Sequence, residues 1–247
     1  MADDERNHLA SSRDAGTVLT PGDLAAELSR VALSLEQEED LQGTLDAIVG
    51  AAIGTVPGAQ HASISMVKDR REVITRASTS ELPRRTDNAQ YDAGEGPCLD
   101  VLYHRRTVQV PQMATEQRWP RFSATASRLG AGSMLCVRLF VNGDDLGALN
   151  LLSESPHAFS QDSEDVALLF ATHAAVAIVG AAKEEQLRDA LVRRDTIGQA
   201  MGIVMERYGL TPKRSFAVLA RLSQHRNIKL HDLARQIVQT RLLPGDQ

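Results

Sequence analysis

The chain has 247 residues, of which 43% are hydrophobic and 24% charged, and a formal net charge of −5. These values fit a soluble globular protein of one large or two modest domains and exclude a disordered, low-complexity chain. No apolar run reaches the about 20 residues of a spanning helix, and MADDERNHLA lacks the basic and apolar regions of a secretory signal, so a cytoplasmic location is expected.

Residues 1–19 are polar and read as a disordered arm. Thr20 and Pro21 then start a helix, with Leu24, Leu28, Val31 and Leu35 at helical spacing. A second helix carries Leu41, Leu45, Ile48, Ala52 and Ile53 and stops at Pro57-Gly58. In HASISMVKDRREVITRAS the period changes to two. Ala62, Ile64 and Met66 alternate with Ser63, Ser65 and Val67, and the polar Lys68–Arg71 turn leads to a returning strand. Residues 81–97 read as turn-rich, and Pro97 opens a short helix with Leu99, Val101 and Leu102. TVQVP reads as a strand, and a short helix follows around Phe122–Leu129. SMLCVRLFVNGDDLGALNLLSES is the clearest hairpin, reversing at Asn142–Asp145.

Ser160 caps the next helix, with Asp162, Glu164 and Asp165 in its acidic first turn. No proline interrupts residues 157–211, so one long helix is expected, weakest at Gly180. It contains GQAMG, where Gly198 and Gly202 lie on one face. Each costs up to about 1 kcal/mol against alanine. A face this smooth serves close approach of another helix or of a nucleic-acid backbone, and the sequence leaves both open. Gly209 ends the helix. Thr211 and Pro212 start another, whose apolar positions are Phe216, Leu219, Ala220 and Leu222, and Asn227 breaks it. A last helix carries Leu230, Leu233, Ala234, Ile237 and Val238. These three helices can share a core with Ile197, Ala200, Val204 and Tyr208.

The charge is uneven. Residues 183–247 hold 12 Lys and Arg against 7 Asp and Glu, a net of +5, while residues 1–182 carry about −10. A basic module behind an acidic body points to an anionic partner for the module. No catalytic signature stands out. The seven histidines are scattered, GEGP is too short for a phosphate loop, and neither G-x-S-x-G nor H-E-x-x-H occurs. Cys98 and Cys136 lack metal-ligand spacing and are expected as free thiols in a reducing compartment. Neither an enzyme, a metal nor a cofactor is expected.

In order, the two leading helices, HASISMV, GEGPCLD, RWPRF and LGALNLLSESPHAFS resemble a GAF sensory domain over residues 23–182. RDTIGQAMGIVMERYGL followed by TPKRSFAVLARLSQHRNIKLHDLARQIV resembles an ANTAR domain, an RNA-binding antiterminator module, over residues 190–243. The resemblance implies an α+β chain. A GAF-type antiparallel sheet with helices (20–182) is joined by a helical, coiled-coil-like linker (183–192) to a three-helix ANTAR bundle (193–243), with a short tail (244–247). It implies a signal-responsive regulator of transcription antitermination that binds paired RNA hairpins. Two adjacent hairpins suit a homodimer, expected to be held by residues 163–192, where the apolar pattern runs unbroken from Val166 to Leu191. Arg194, Arg207, Lys213, Arg214, Arg221, Arg226 and Lys229 are the candidate RNA contacts. Tyr91, Cys98, Trp119 and Phe122 are the candidates for lining a pocket for an unidentified small molecule. Met201 stands where the family often has lysine, and Ser215 where it usually has alanine. The Asn-Lys-Phe-Asp-Glu signature of cyclic-nucleotide GAF domains is missing, so no cyclic nucleotide is expected. The alternative is a ligand- or redox-sensing GAF protein whose helical tail binds a protein partner or DNA.

Overall fold

A computed structural model describes residues 21–68, 72–103, 105–141 and 144–243. The proposed arm, the Thr20 cap, the heart of the first hairpin turn, Asn142-Gly143 and the tail 244–247 lie outside the described residues. The chain divides into two compact units, residues 1–178 and 179–247.

The first unit is built on five antiparallel strands: β1 (His61–Lys68), β2 (Glu72–Ser78), β3 (Thr107–Val110), β4 (Ser133–Val141) and β5 (Asp144–Ser153). Their order across the sheet is β2-β1-β5-β4-β3. Both hairpins expected from the alternating patterns, β1–β2 and β4–β5, pair antiparallel. On one face lie α1 (Pro21–Leu35), α2 (Leu41–Thr55) and the start of α6 (Gln161–Tyr208). Leu45, Ile48, Ile64, Leu135, Leu149, Leu151 and Phe170 meet there in one apolar core. Asp40 caps α2 by accepting from the Gly43 N–H at 2.7 Å, and the Ser160 and Ser163 side chains cap each other's backbone N–H groups at the start of α6.

The second face differs from expectation. Residues 81–93 are not a turn-rich segment but a 13-residue helix, α3 (Glu81–Ala93). Its inward residues are Pro83, Thr86, Asp87 and Gln90. Their spacing is helical, yet three of the four are polar, so no apolar period betrays the helix. With α4 (Pro97–Tyr103) and α5 (Pro120–Leu129), α3 belongs to the layer on this face. Ser63 and Ser65, the polar half of the β1 alternation, are consequently buried rather than solvated.

By length and composition α6 is able to cross a membrane, which no unbroken apolar run in the sequence showed. Many of the residues responsible, among them Val166, Ala167, Phe170, Ala174, Ala175 and Ile178, are buried in the core of the first unit.

The second unit packs the end of α6 with α7 (Pro212–Arg226) and α8 (Leu230–Thr240). Gly209 and Asn227 end α6 and α7 in the left-handed region, at φ 60° and 53°. Thr211 caps α7 by accepting from the Arg214 N–H. Ala200, Val204, Leu219, Leu233, Ala234 and Ile237 form the core. Two residues assigned to that core by spacing are not in it: Phe216 is 45% exposed and Tyr208 is 43% exposed. Ser215 is fully buried instead, and its hydroxyl donates to the Met201 carbonyl at 2.9 Å, tying α7 to α6.

Candidate functional sites

Register and helix position together build the first site. On β1, Ser63 faces Asn150 of β5 and Ser65 faces Thr75 of β2, so polar side chains from three strands converge. The polar stripe of α3 lies against them. Asp87 Oδ2 accepts from the Ser63 hydroxyl at 2.7 Å and from the Thr75 hydroxyl at 2.9 Å. Its Oδ1 accepts from the Asn150 amide at 2.9 Å. The same amide donates to Ser65 Oγ at 3.0 Å, and Ser65 shares a 2.6 Å hydrogen bond with the Tyr91 hydroxyl. Burial pushes the Asp87 carboxyl up from 3.8 to about 6, partly offset by hydrogen bonding from the surrounding hydroxyls and the Asn150 amide. Burial and the neighbouring Asp87 carboxylate also push the Tyr91 phenol up. Thr86 Oγ1, Gln90 Nε2 and Asn150 Oδ1 are buried here with no partner among the described residues. Such atoms each cost about 1–3 kcal/mol when left unpaired.

Thr75 and Tyr91 also form part of the wall of a cleft of ≈ 640 Å³, with Val73, Arg84, Leu99 and Tyr103 among its other residues. The GEGP loop sits at the end of α3. Gly94 ends the helix at φ 66°. Gly96 has φ 150°, and a Cβ there would collide with the Gln90 side chain, whose Oε1 accepts the Cys98 N–H at 2.8 Å. Glu95 accepts from the backbone N–H groups of Arg121 and Phe122 at 2.7 and 3.2 Å, capping α5 where Trp119 makes no side-chain cap. Each residue of Gly94–Gly96 thus has a structural duty.

In the second unit two clefts lie along α6. One, of ≈ 760 Å³, is lined by Arg193, Arg194, Gly198, Gln199, Met201 and Phe216, with Ala190, Asp195 and Ile197. The other, of ≈ 500 Å³, is lined by Gln199, Gly202, Ile203, Glu206, Arg207, Val238 and Arg241. A Cβ added at Gly198 or at Gly202 meets nothing within 4 Å. Packing among the described residues of this chain therefore requires neither glycine.

A family model for the GAF domain matches residues 38–179, more than half of the chain. The chain belongs to the GAF domain family. A second model, for the ANTAR domain, matches residues 185–238. Solved structures similar to the chain include the GAF domain of an Acinetobacter phosphoenolpyruvate-protein phosphotransferase, 16% identical, with a TM-score of 0.51 over 66% of this chain and 97% of that one. Free methionine-R-sulfoxide reductase from Neisseria meningitidis, in complex with its substrate, is 16% identical, with a TM-score of 0.52 over 72% of this chain and 97% of that one. The Stigmatella aurantiaca phytochrome photosensory core module is 10% identical, with a TM-score of 0.59 over 84% of this chain and 46% of that one. At these identities the likeness is one of fold. No curated protein matches the chain.

In the GAF domain only Tyr91, of the four pocket candidates, lines the cleft. Cys98, Trp119 and Phe122 sit together in the apolar core between α4, α5 and the sheet, with Arg118 stacked 4.4 Å over the Trp119 ring. Both cysteines are free and buried. Burial pushes the Cys98 thiol up to about 12 and raises that of Cys136 as well, so neither has thiolate character. Asp87, Gln90 and Asn150 were missed as functional candidates because nothing in hydropathy marks a buried polar residue. In the ANTAR domain Arg194, Arg207, Lys213, Arg214, Arg221, Arg226 and Lys229 are all exposed. Among the described residues no cluster of three or more His, Cys, Asp or Glu could hold a metal ion.

Proposed function

We propose that the chain is a cytoplasmic, signal-responsive regulator of transcription antitermination. Its GAF domain receives a small-molecule signal and its ANTAR domain binds paired RNA hairpins. The observation that carries this reading is the presence of both domains on one chain, GAF over 38–179 and ANTAR over 185–238. The exposed cations of the ANTAR domain support it, since phosphate neutralisation needs accessible Lys and Arg. For the signal, support comes from the cleft beside Tyr91, whose hydroxyl belongs to the buried polar network and whose side chain lines the cleft wall. The regulator acts without catalysis. Thiol chemistry would need an accessible thiolate, and both cysteines are buried with raised pKa.

Two adjacent hairpins suit a dimer, and we assign the contact to α6. Leu187 and Leu191 stand one turn apart on that helix and are 59% and 62% exposed. Hairpin RNA, titrated at several salt concentrations against duplex DNA of equal charge, tests the reading. Preferential hairpin binding is expected. Replacing Arg194, Arg221, Arg226 and Lys229 with alanine should weaken binding and flatten its salt dependence, each lost phosphate contact removing a little under one unit of slope. Unchanged affinity and slope in that quadruple variant would overturn the assignment.

A further inference from the structure

The ANTAR domain places an aromatic side chain where packing does not call for one. Phe216 lies on α7 between Ser215 and Leu219, both fully buried, yet it is 45% exposed. It forms one wall of the ≈ 760 Å³ cleft, opposite residues of α6. Arg193 and Arg194 stand on the same cleft. Arg193 makes a 3.6 Å surface ion pair with Asp189, a contact weak enough to exchange for a phosphate. Arg194 has no side-chain partner among the described residues. Gln199 brings both an amide donor and an acceptor. Gly198 keeps the cleft open, because any side chain there would extend into unoccupied space.

We propose that this cleft holds one unpaired nucleotide of the bound RNA, its base stacked on Phe216, its edge read by Gln199 and its phosphate held by Arg193 and Arg194. The inference rests on the RNA-binding reading above and adds to it the place where a splayed base enters. Every constituent has its counterpart in single-stranded RNA recognition: an aromatic face for stacking, an amide for the base edge and paired guanidinium groups for the backbone. The charge matches as well. Asp195 is the sole acid lining the cleft beside the two arginines, in a segment whose net charge is +5. The cleft lies within the range of about 300–1,000 Å³ typical of small-ligand sites.

The test uses the full chain and hairpin RNA with a randomised loop, from which tight binders are selected. Phe216→Ala should weaken binding roughly tenfold, as expected for the loss of one base–aromatic stack. Phe216→Trp should keep it. Gly198→Leu should fill the cleft and weaken binding comparably while the helix melts no earlier, since leucine is the better helix former. The two Phe216 changes leave the salt slope unaltered, whereas Gly198→Leu, which shuts out the nucleotide together with its phosphate, and Arg194→Ala both lower it. With 2-aminopurine placed in turn at each loop position, one position should change emission on binding, and Phe216→Ala should abolish that change. If the wild type binds hairpins and both Phe216→Ala and Gly198→Leu bind equally well, the nucleotide pocket is overturned and the RNA reading stands. If the wild type binds no hairpin, both fall. If Phe216→Ala alters the oligomeric state but not RNA affinity, the cleft is an interface between copies of the chain, and the proposal is again overturned.

Discussion

Asp87 on α3 and Asn150 on β5, 63 positions apart in sequence, are joined by a 2.9 Å hydrogen bond in an interior where neither side chain reaches solvent. The bond closes a network that also includes Ser63, Ser65, Thr75 and Tyr91. Among the described residues no cation partners the carboxylate in this network; hydroxyls and an amide solvate it.

The Asp87 carboxyl makes stability depend on pH. Its folded value of about 6 lies above its unfolded value of 3.8, so between those limits the folded state binds more protons than the unfolded state. The stability this gives is fully present below about pH 4 and is lost as pH rises through 6, a span on the order of 3 kcal/mol. Asp87→Asn removes the titration. Thermal denaturation of both proteins from pH 4 to 8 should show the variant gaining on the wild type with rising pH and levelling above about 7. A constant offset at every pH would mean that the carboxyl does not titrate in this window.

Gly96→Ala should destabilise the GAF domain by about 1–3 kcal/mol, because its φ of 150° disfavours any side chain and the new Cβ meets Gln90. Gly50→Ala in α2 is the control. Nothing lies within 4 Å of that position, and the helix should gain up to about 1 kcal/mol. Urea midpoints for the two variants should move in opposite directions. A Gly96→Ala midpoint at or above that of the wild type would overturn both the backbone strain and the clash with Gln90.

Dimerisation through α6 is open to a direct check. Replacing Leu187 and Leu191 with Asp alters two exposed positions, so neither domain should lose its fold. Light scattering at micromolar concentration should report dimers for the wild type and monomers for the double variant. A monomeric wild type would exclude α6 as the dimer contact.

Much of the architecture was legible in the sequence because it depends on local rules. The hairpins at β1–β2 and β4–β5 follow from alternation and turn residues. The length of α6 follows from the lack of proline, and the ends of α6 and α7 from Gly209 and Asn227. Thr211 and Ser160 announced their caps. Each of these signals lies within a few residues of the feature it specifies.

What tertiary structure alone decided is which polar residues are buried and which apolar ones are not. Residues 81–93 carry a helical period in Pro83, Thr86, Asp87 and Gln90, but hydropathy treats such residues as solvent-facing. Asp87 and Gln90 can be buried because Ser63, Thr75, Cys98 and Asn150 arrive from other parts of the chain to pair with them. Conversely, spacing put Phe216 in the ANTAR core, while packing filled that place with Ser215, Leu219 and their neighbours on α6 and α8 and left the ring on a cleft. Local sequence sets backbone conformation through sterics and nearby hydrogen bonds. Burial of a polar group, or exposure of an aromatic one, is settled by partners distant in sequence, and these meet only in the folded chain.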